Sequence, residues 1–189
     1  MAEPPGRLIL VVGPSGVGKD SLIDGARSVL ADKGRFVFPR RDITRPVEAG
    51  GENHVAVDRE MFDARRQSGD YALWWEAHGL GYGIPATIRT DIEKGRDVIV
   101  NVSRTVLDEA RKDFPNVLVL HVTAPAALIA QRLTARGRET GAAIGKRLDR
   151  GGAYRVEGAD VVEVLNDADL SQGIDRFLAA LRARLPHAG

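Results

Sequence analysis

Short apolar runs that do not alternate with polar residues, separated by stretches of helical periodicity, set the reading of this chain. Residues 7–12, 97–102, 117–122 and 161–165 are such runs, and 35–38 is a weaker one. Between them Leu22, Ile23, Ala26, Val29 and Leu30 recur at helical spacing. Near the end Leu170, Ile174, Phe177, Leu178, Leu181 and Leu185 do the same, and 104–113 and 126–136 read as further helices. A strand that is apolar on both faces must be covered on both faces, so strands of this kind bounded by helices predict a parallel sheet in a three-layer α/β/α arrangement. Ligands of such folds collect at the carboxyl ends of the strands.

Two segments break the rhythm. Residues 44–85 are rich in glycine, charge and aromatics, and 137–152 are short, basic and glycine-flecked. The expected organisation is one domain over 1–189. Its core is 1–43, 86–136 and 153–189, with a small substrate-binding insertion at 44–85 and a lid at 137–152.

The first apolar run leads into Gly13-Pro14-Ser15-Gly16-Val17-Gly18-Lys19-Asp20, and a helical pattern follows at once. Strand, G-x-x-x-x-G-K, helix is the phosphate-cradling loop of nucleotide-binding enzymes. Its glycines let several backbone N–H groups point into one concavity, and the helix N-terminus behind it favours anions. Lys19 adds a full positive charge for the outer phosphates. The residue after the lysine is usually Ser or Thr, whose hydroxyl helps to hold magnesium. Here it is Asp20, with Ser21 one place later. A carboxylate is a hard oxygen ligand for that ion, so Asp20 and Ser21 are the expected metal-handling pair.

Composition narrows the classes. The net charge is +1 over 189 residues and there is no cysteine. Nothing global calls for nucleic acid or a membrane surface, and disulfide and thiolate chemistry are out. No apolar run approaches the ~20 residues of a membrane span, and no basic segment leads into a long apolar one near residue 1. A cytoplasmic location is the expectation. The local charge is another matter, because residues 132–150 carry Arg132, Arg136, Arg138, Lys146, Arg147 and Arg150 against Glu139 and Asp149. Phosphoryl transfer needs positive charge around the migrating group, and guanidinium matches a phosphate edge. Arg138 and Arg147 are the first candidates to reach the phosphates, and Arg136 the next.

Taken in order, residues 13–19, Thr44-Arg45-Pro46, His78-Gly79 with Tyr82-Gly83, Arg132-Leu133 with Arg136-Gly137, and Asn166-Asp167 make nearly the whole chain resemble the guanylate kinases. The resemblance implies a nucleoside monophosphate kinase fold with core, acceptor domain and lid. It also implies ATP with magnesium as donor, and Asn166 and Asp167 near the adenine. The departures are specific. The two places that read guanine, a Glu and a Ser or Thr, hold Leu73 and Ile84. A second phosphate-clamping Arg is Glu48, and a phosphate-binding Tyr is His54, while Arg45 and Tyr82 remain. Neither Leu nor Ile can pair with a base edge, so the acceptor is expected to keep a phosphate and lose the guanine.

Those departing segments resemble, in turn, the ribose 1,5-bisphosphate phosphokinases of phosphonate breakdown. They are Gly-Lys-Asp-Ser at 18–21, Ile-Thr-Arg at 43–45 with Gly-Glu-Asn-His at 51–54, residues 75–83, Val-Asn-Val-Ser-Arg at 100–104 and Arg-Gly-Arg-Glu at 136–139. That resemblance implies transfer from ATP to ribose 1,5-bisphosphate, giving ADP and 5-phosphoribosyl 1-diphosphate. Arg45 and Tyr82 then suit one phosphate, with His54, Arg41 and Arg104 as further candidates. Glu76, Asn53, Asn101 and Ser103 are candidates for the sugar hydroxyls. Guanylate kinases carry Asp where Asn101 stands, so the carboxylate of the metal site is expected to have moved to Asp20. The expected partners are the two small substrates, without nucleic acid or membrane, and a homodimer is the oligomer left open. Two other readings stay open: a nucleoside monophosphate kinase with relaxed base reading, and a non-catalytic guanylate-kinase-like module that binds peptide.

Overall fold

The computed structural model of the protein describes residues 5–30, 34–49, 52–135 and 156–182. The expected lid at 137–152, with Arg138 and Arg147, lies outside the described residues, as does Arg136. The main sheet has the strand order β2-β7-β1-β8-β9, with β1 at Leu8–Val12, β2 at Phe36–Val37, β7 at Asp97–Asn101, β8 at Val117–Thr123 and β9 at Val161–Leu165. Contacts divide the chain into two compact units, 1–9 with 32–117 and 10–31 with 118–189.

In the second unit the phosphate-loop pattern is followed by α1 at Lys19–Leu30, and β8 is followed by α5 at Ala126–Ala135. β8 and β9 run parallel, from Val119 opposite Val161 to Thr123 opposite Leu165. Residues 10–12 of β1 and Leu118, Val119, Leu120 and Val122 of β8 are fully buried, as the unalternating apolar runs require. α1 buries Leu22, Ile23, Ala26 and Leu30. The closing helix α6, Leu170–Leu181, buries Phe177 and Leu181, and its Ile174 lies where a Cβ on Gly25 would sit. Asp169 caps α6 by accepting the Gln172 N–H at 2.9 Å. Leu170 departs from the expected apolar face. It is the first helical residue after that cap and stands exposed, as does Val29.

In the first unit β2 pairs parallel with β7, Phe36 opposite Asp97. It is shorter than the apolar run suggested. The segment from residue 104 begins as a 3-10 turn, Arg104–Val106, before α4 at Leu107–Asp113. The Asp97 carboxylate is fully buried and accepts from the Arg7 backbone N–H at 2.9 Å and its guanidinium at 2.8 Å. A second sheet, of order β4-β3-β6-β5, draws three of its four strands from residues 44–85. Its strands are β3 at Asp42–Ile43, β4 at Val55–Ala56, β5 at Tyr71–Ala77 and β6 at Leu80–Pro85. α2 spans Arg59–Ser68, and α3, Ile88–Glu93, follows β6.

β5 and β6 form a hairpin whose two-residue turn is His78-Gly79, with φ of 54° and 75°. Two positive φ values in a row are what a type I′ turn demands. His78 is exposed there, and its place is the turn itself. One face of this sheet is built around bare glycines. A Cβ on Gly81 would meet Phe62 of α2, and one on Gly83 would meet the Tyr71 ring. On the same side Asp42 accepts from the Tyr71 hydroxyl at 2.8 Å and pairs with Arg65. Burial, then the Asp42 carboxylate, hold the Tyr71 phenol well above its ordinary pKa.

Candidate active site

The residues expected to bind the donor lie in the second unit. Gly13, Gly16 and Gly18 all have positive φ, at 152°, 85° and 98°. A side chain at any of them is both strained and blocked. A Cβ on Gly16 would stand 2.8 Å from Leu133 of α5, and one on Gly18 would stand 2.6 Å from Asn166 Nδ2. The loop is therefore moulded against α5 and the end of β9. Lys19 Nζ donates to the carbonyls of Gly13 at 2.7 Å and Pro14 at 3.0 Å, so the cation is folded over the loop it closes. Ser15 and Ser21 are exposed, and Asp20 is partly exposed in the first turn of α1.

Asn166 and Asp167, which the guanylate kinase resemblance places near the adenine, sit differently from one another. Asn166 is 4% exposed, and its Nδ2 donates to the Val17 carbonyl at 2.8 Å. Asp167 is exposed and accepts from Arg176 at 2.6 Å, and that bond holds its carboxyl below the usual range. Arg132 belongs by sequence to the basic stretch 132–150 and to the strings that carry the guanylate kinase resemblance. Its Nη1 donates to the Val17 carbonyl at 3.1 Å and to the Asn166 carbonyl at 3.2 Å.

The residues expected to bind the acceptor lie in the first unit. Directly opposite residues of a hairpin share a face. Leu73 opposes Ile84 and Trp75 opposes Tyr82, and these four lie on the side away from α2. Ile43 of β3 opposes Tyr82 and joins them. Leu73, Ile84 and Ile43 are fully buried. The two places at which the resemblance expects base readers are thus one cross-strand aliphatic pair in a core. Trp75 stacks on Tyr82 with centroids 5.2 Å apart and rings 2° from parallel. The Arg41 guanidinium lies over both rings, 5.6 Å and 5.3 Å from their centroids. Arg41 is held there by Glu52, through a fork-to-carboxylate pair, and by the Asn101 carbonyl at 3.0 Å. Among the sugar and phosphate candidates, Arg41 and Asn101 are therefore brought together.

Arg45 stands out for what it lacks. Its Nε and Nη2 are buried with no hydrogen-bond partner among the described residues. A buried donor left unpaired is destabilising by about 1–3 kcal/mol, and more when charged, and an anion or a water at this edge would complete it. His54 is the contrasting case. It is 2% exposed, with Nδ1 3.0 Å from the Glu52 carbonyl and Nε2 2.9 Å from the Arg45 carbonyl. Both nitrogens are turned to the main chain and neither is left for a phosphate, so the ring braces the turn that carries Arg45. Glu76 is exposed and ion-paired with Arg59 at 2.6 Å, which places it on the α2 side of the hairpin. Ser103 Oγ accepts from the Thr105 backbone N–H at 3.4 Å as the cap of the turn after β7, and from the Thr105 hydroxyl at 3.0 Å. The roles of Arg132 and Glu52 carried no sequence signal. Arg41 stands just before β3, and its guanidinium lies over the ring of Tyr82, the residue opposite Ile43.

Residues 5–174 match the guanylate kinase family model. Ribose 1,5-bisphosphate phosphokinase PhnN of Rhizobium etli is 43% identical over 176 residues, covering 93% of this chain and 89% of the relative. The protein of the same name from Chromobacterium violaceum is 44% identical over 183 residues, covering 96% and 97%. A bifunctional ribose 1,5-bisphosphokinase-thymidine phosphorylase of Azorhizobium caulinodans is 46% identical over 179 residues, and the chain spans only 26% of its length. Among solved structures, the guanylate kinase of Anaplasma phagocytophilum superposes with a TM-score of 0.69 at 18% identity, covering 100% of this chain and 90% of the other.

Proposed function

The chain belongs to the ribose 1,5-bisphosphate phosphokinase family, on a guanylate-kinase-like fold, and from that premise we propose that it transfers the γ-phosphoryl group of ATP to the 1-phosphate of ribose 1,5-bisphosphate. A phosphate oxygen of the acceptor attacks the γ-phosphorus, the bond to the β–γ bridging oxygen breaks, and ADP leaves with that electron pair. The products are ADP and 5-phosphoribosyl 1-diphosphate. The nucleophile's second pKa lies near 6, so it is ionised at neutral pH and asks for no general base. What remains for the protein is positioning and charge neutralisation. Lys19 and the backbone N–H groups of 15–20 take the donor phosphates. Arg45 takes one acceptor phosphate, and Tyr82 carries a hydroxyl on the Arg41 face. Arg136, Arg138 and Arg147 supply charge to the migrating group.

The observation that carries this reading is the acceptor face itself. It carries one guanidinium, that of Arg41, over an aromatic stack, with an aliphatic core pair where a base would have to be read. An ADP-release panel tests it. Ribose 1,5-bisphosphate is expected to support turnover, while GMP and AMP are expected to fall at least a hundredfold lower in kcat/KM. Phosphorus NMR should show a new diphosphate pair on the sugar. Preference for GMP would overturn the reading in favour of a nucleoside monophosphate kinase. No ADP release with any acceptor would favour the binding module.

Magnesium fits the residues present. Asp20 places one carboxylate, and Ser21 one hydroxyl, in the turn that follows Lys19. Mg²⁺ commonly takes only one or two carboxylates and completes its shell with phosphate oxygens and water. When bound, the ion neutralises charge between the β- and γ-phosphates. Asp20→Ala is expected to raise the half-saturating magnesium concentration about tenfold or more, with a smaller effect for Asp20→Ser. An unchanged magnesium titration would exclude Asp20 from the metal site. The protein is proposed to act in the cytoplasm on small molecules. Size-exclusion with light scattering decides between monomer and homodimer.

A further inference from the structure

We infer that Asn166 and Arg132 are positioning residues of the donor site, which aim the Gly18 N–H at the donor phosphates by anchoring the Val17 carbonyl. The inference rests on residues 13–19 being the ATP site and is independent of what the acceptor is.

The argument begins with the peptide unit. A trans peptide is planar, and its C=O and N–H point in opposite directions. No cis peptide occurs among the described residues, so the bond between Val17 and Gly18 is trans. Its carbonyl is held on the packed side of the loop by two donors, Asn166 Nδ2 at 2.8 Å and Arg132 Nη1 at 3.1 Å. The N–H at the other end of the same plane, that of Gly18, is therefore turned the opposite way, toward the concave side. Rotating this one peptide would break both bonds and withdraw one donor from the cradle.

The surroundings show that the contact is built. Asn166 is itself fixed, its backbone N–H donating to the Thr123 carbonyl at 2.8 Å and its own carbonyl accepting from Arg132 at 3.2 Å. Gly18 and Gly173 both lack the Cβ that would collide with the Asn166 amide, each at 2.6 Å. The side chain thus has a slot between the loop and α6, and the slot fixes which way the amide points. These two residues come from β9's end and from α5, so one hydrogen-bonded knot joins three elements at the loop.

The role differs from the ones the sequence suggested. A base-reading Asn166 would direct its amide outward, and here the amide is buried and spent on the main chain. A phosphate-contacting Arg132 would act through its charge, and here one of its N–H groups acts through a carbonyl.

The test measures ATP binding calorimetrically with magnesium, for wild type and variants, alongside thermal melting. Asn166→Asp keeps the shape and replaces the donor by an oxygen facing the Val17 carbonyl oxygen. It is expected to weaken ATP binding about tenfold or more, with acceptor KM changed less than twofold. Arg132→Met is expected to weaken ATP binding severalfold, and Arg132→Gln, which keeps an N–H donor without the charge, to restore most of it. Arg132 is only partly buried, so this pair stands even if Asn166→Asp fails to fold. Equal losses for Met and Gln would assign Arg132 to direct charge on the phosphates and overturn the inference, as would ATP binding unchanged in Asn166→Asp. Wild-type protein that binds no ATP would remove the donor-site reading, and this inference with it.

Discussion

Lys19→Ala is expected to lower kcat by on the order of a thousandfold, with the melting temperature moved by no more than a few degrees. Two roles for this side chain are visible, and they make different demands. In the structure Nζ donates to the Gly13 and Pro14 carbonyls at 2.7 Å and 3.0 Å. As a structural tie, each such bond contributes only about 1 kcal/mol net, because a part-exposed carbonyl recovers water when the lysine is removed. As a catalytic group, the ammonium meets charge that develops on the outer phosphates in a site with little water. There it is worth several times more, and its worth appears in the transition state. The measurement is therefore a pair, melting temperature and kcat. A variant that melts well below wild type yet turns over normally would make Lys19 a loop brace and move the donor site elsewhere.

That lysine was legible from the sequence because its chemistry is local. Strand, glycine spacing, cation and helix are all within 23 residues of one another, over 8–30. The sheet was legible for a related reason. Runs such as 8–12 and 117–122 have no polar face to expose, and only a doubly covered sheet accepts them. What the sequence hid depends on partners distant along the chain. Asn166 meets Val17 across 149 positions, and Arg132 meets it across 115. No periodicity reports such a contact. His54 was misjudged by type, since a histidine beside a phosphate-binding arginine reads as a second ligand. Only the two carbonyls at its nitrogens identify it as a brace. Leu73 and Ile84 show the opposite case. Their aliphatic character already argued against a base, and the structure adds that they face one another, fully buried. Restoring a reader at Leu73 alone would bury a carboxylate in a hydrophobic pair, which is costly without a partner. The loss of base reading is thereby built into the core of the hairpin.

Arg45→Met is expected to raise the acceptor KM about a hundredfold or more while leaving stability unchanged or slightly higher. The two halves of that statement share one cause. Among the described residues the guanidinium Nε and Nη2 are buried without a hydrogen-bond partner, and desolvated charge of this kind weighs against the folded state. Methionine fills similar volume without the unmet demand, so the fold loses nothing by the exchange. The acceptor loses a fork of donors suited to a phosphate edge, each charge-assisted bond being worth about 1.5–3 kcal/mol. The effect should be confined to the acceptor. ATP affinity, set by the loop at 13–20, should stay within twofold, and kcat at saturating acceptor should fall less than KM rises. Arg45→Lys separates shape from charge, since an ammonium supplies the charge without the planar fork. It is expected to recover part of the affinity and none of the geometry. Steady-state kinetics in both substrates, with melting curves for each variant, check all of this. An Arg45→Met protein that melts much lower than wild type and keeps its acceptor KM would mean that the guanidinium supports the fold, and that the acceptor phosphate is bound by other residues.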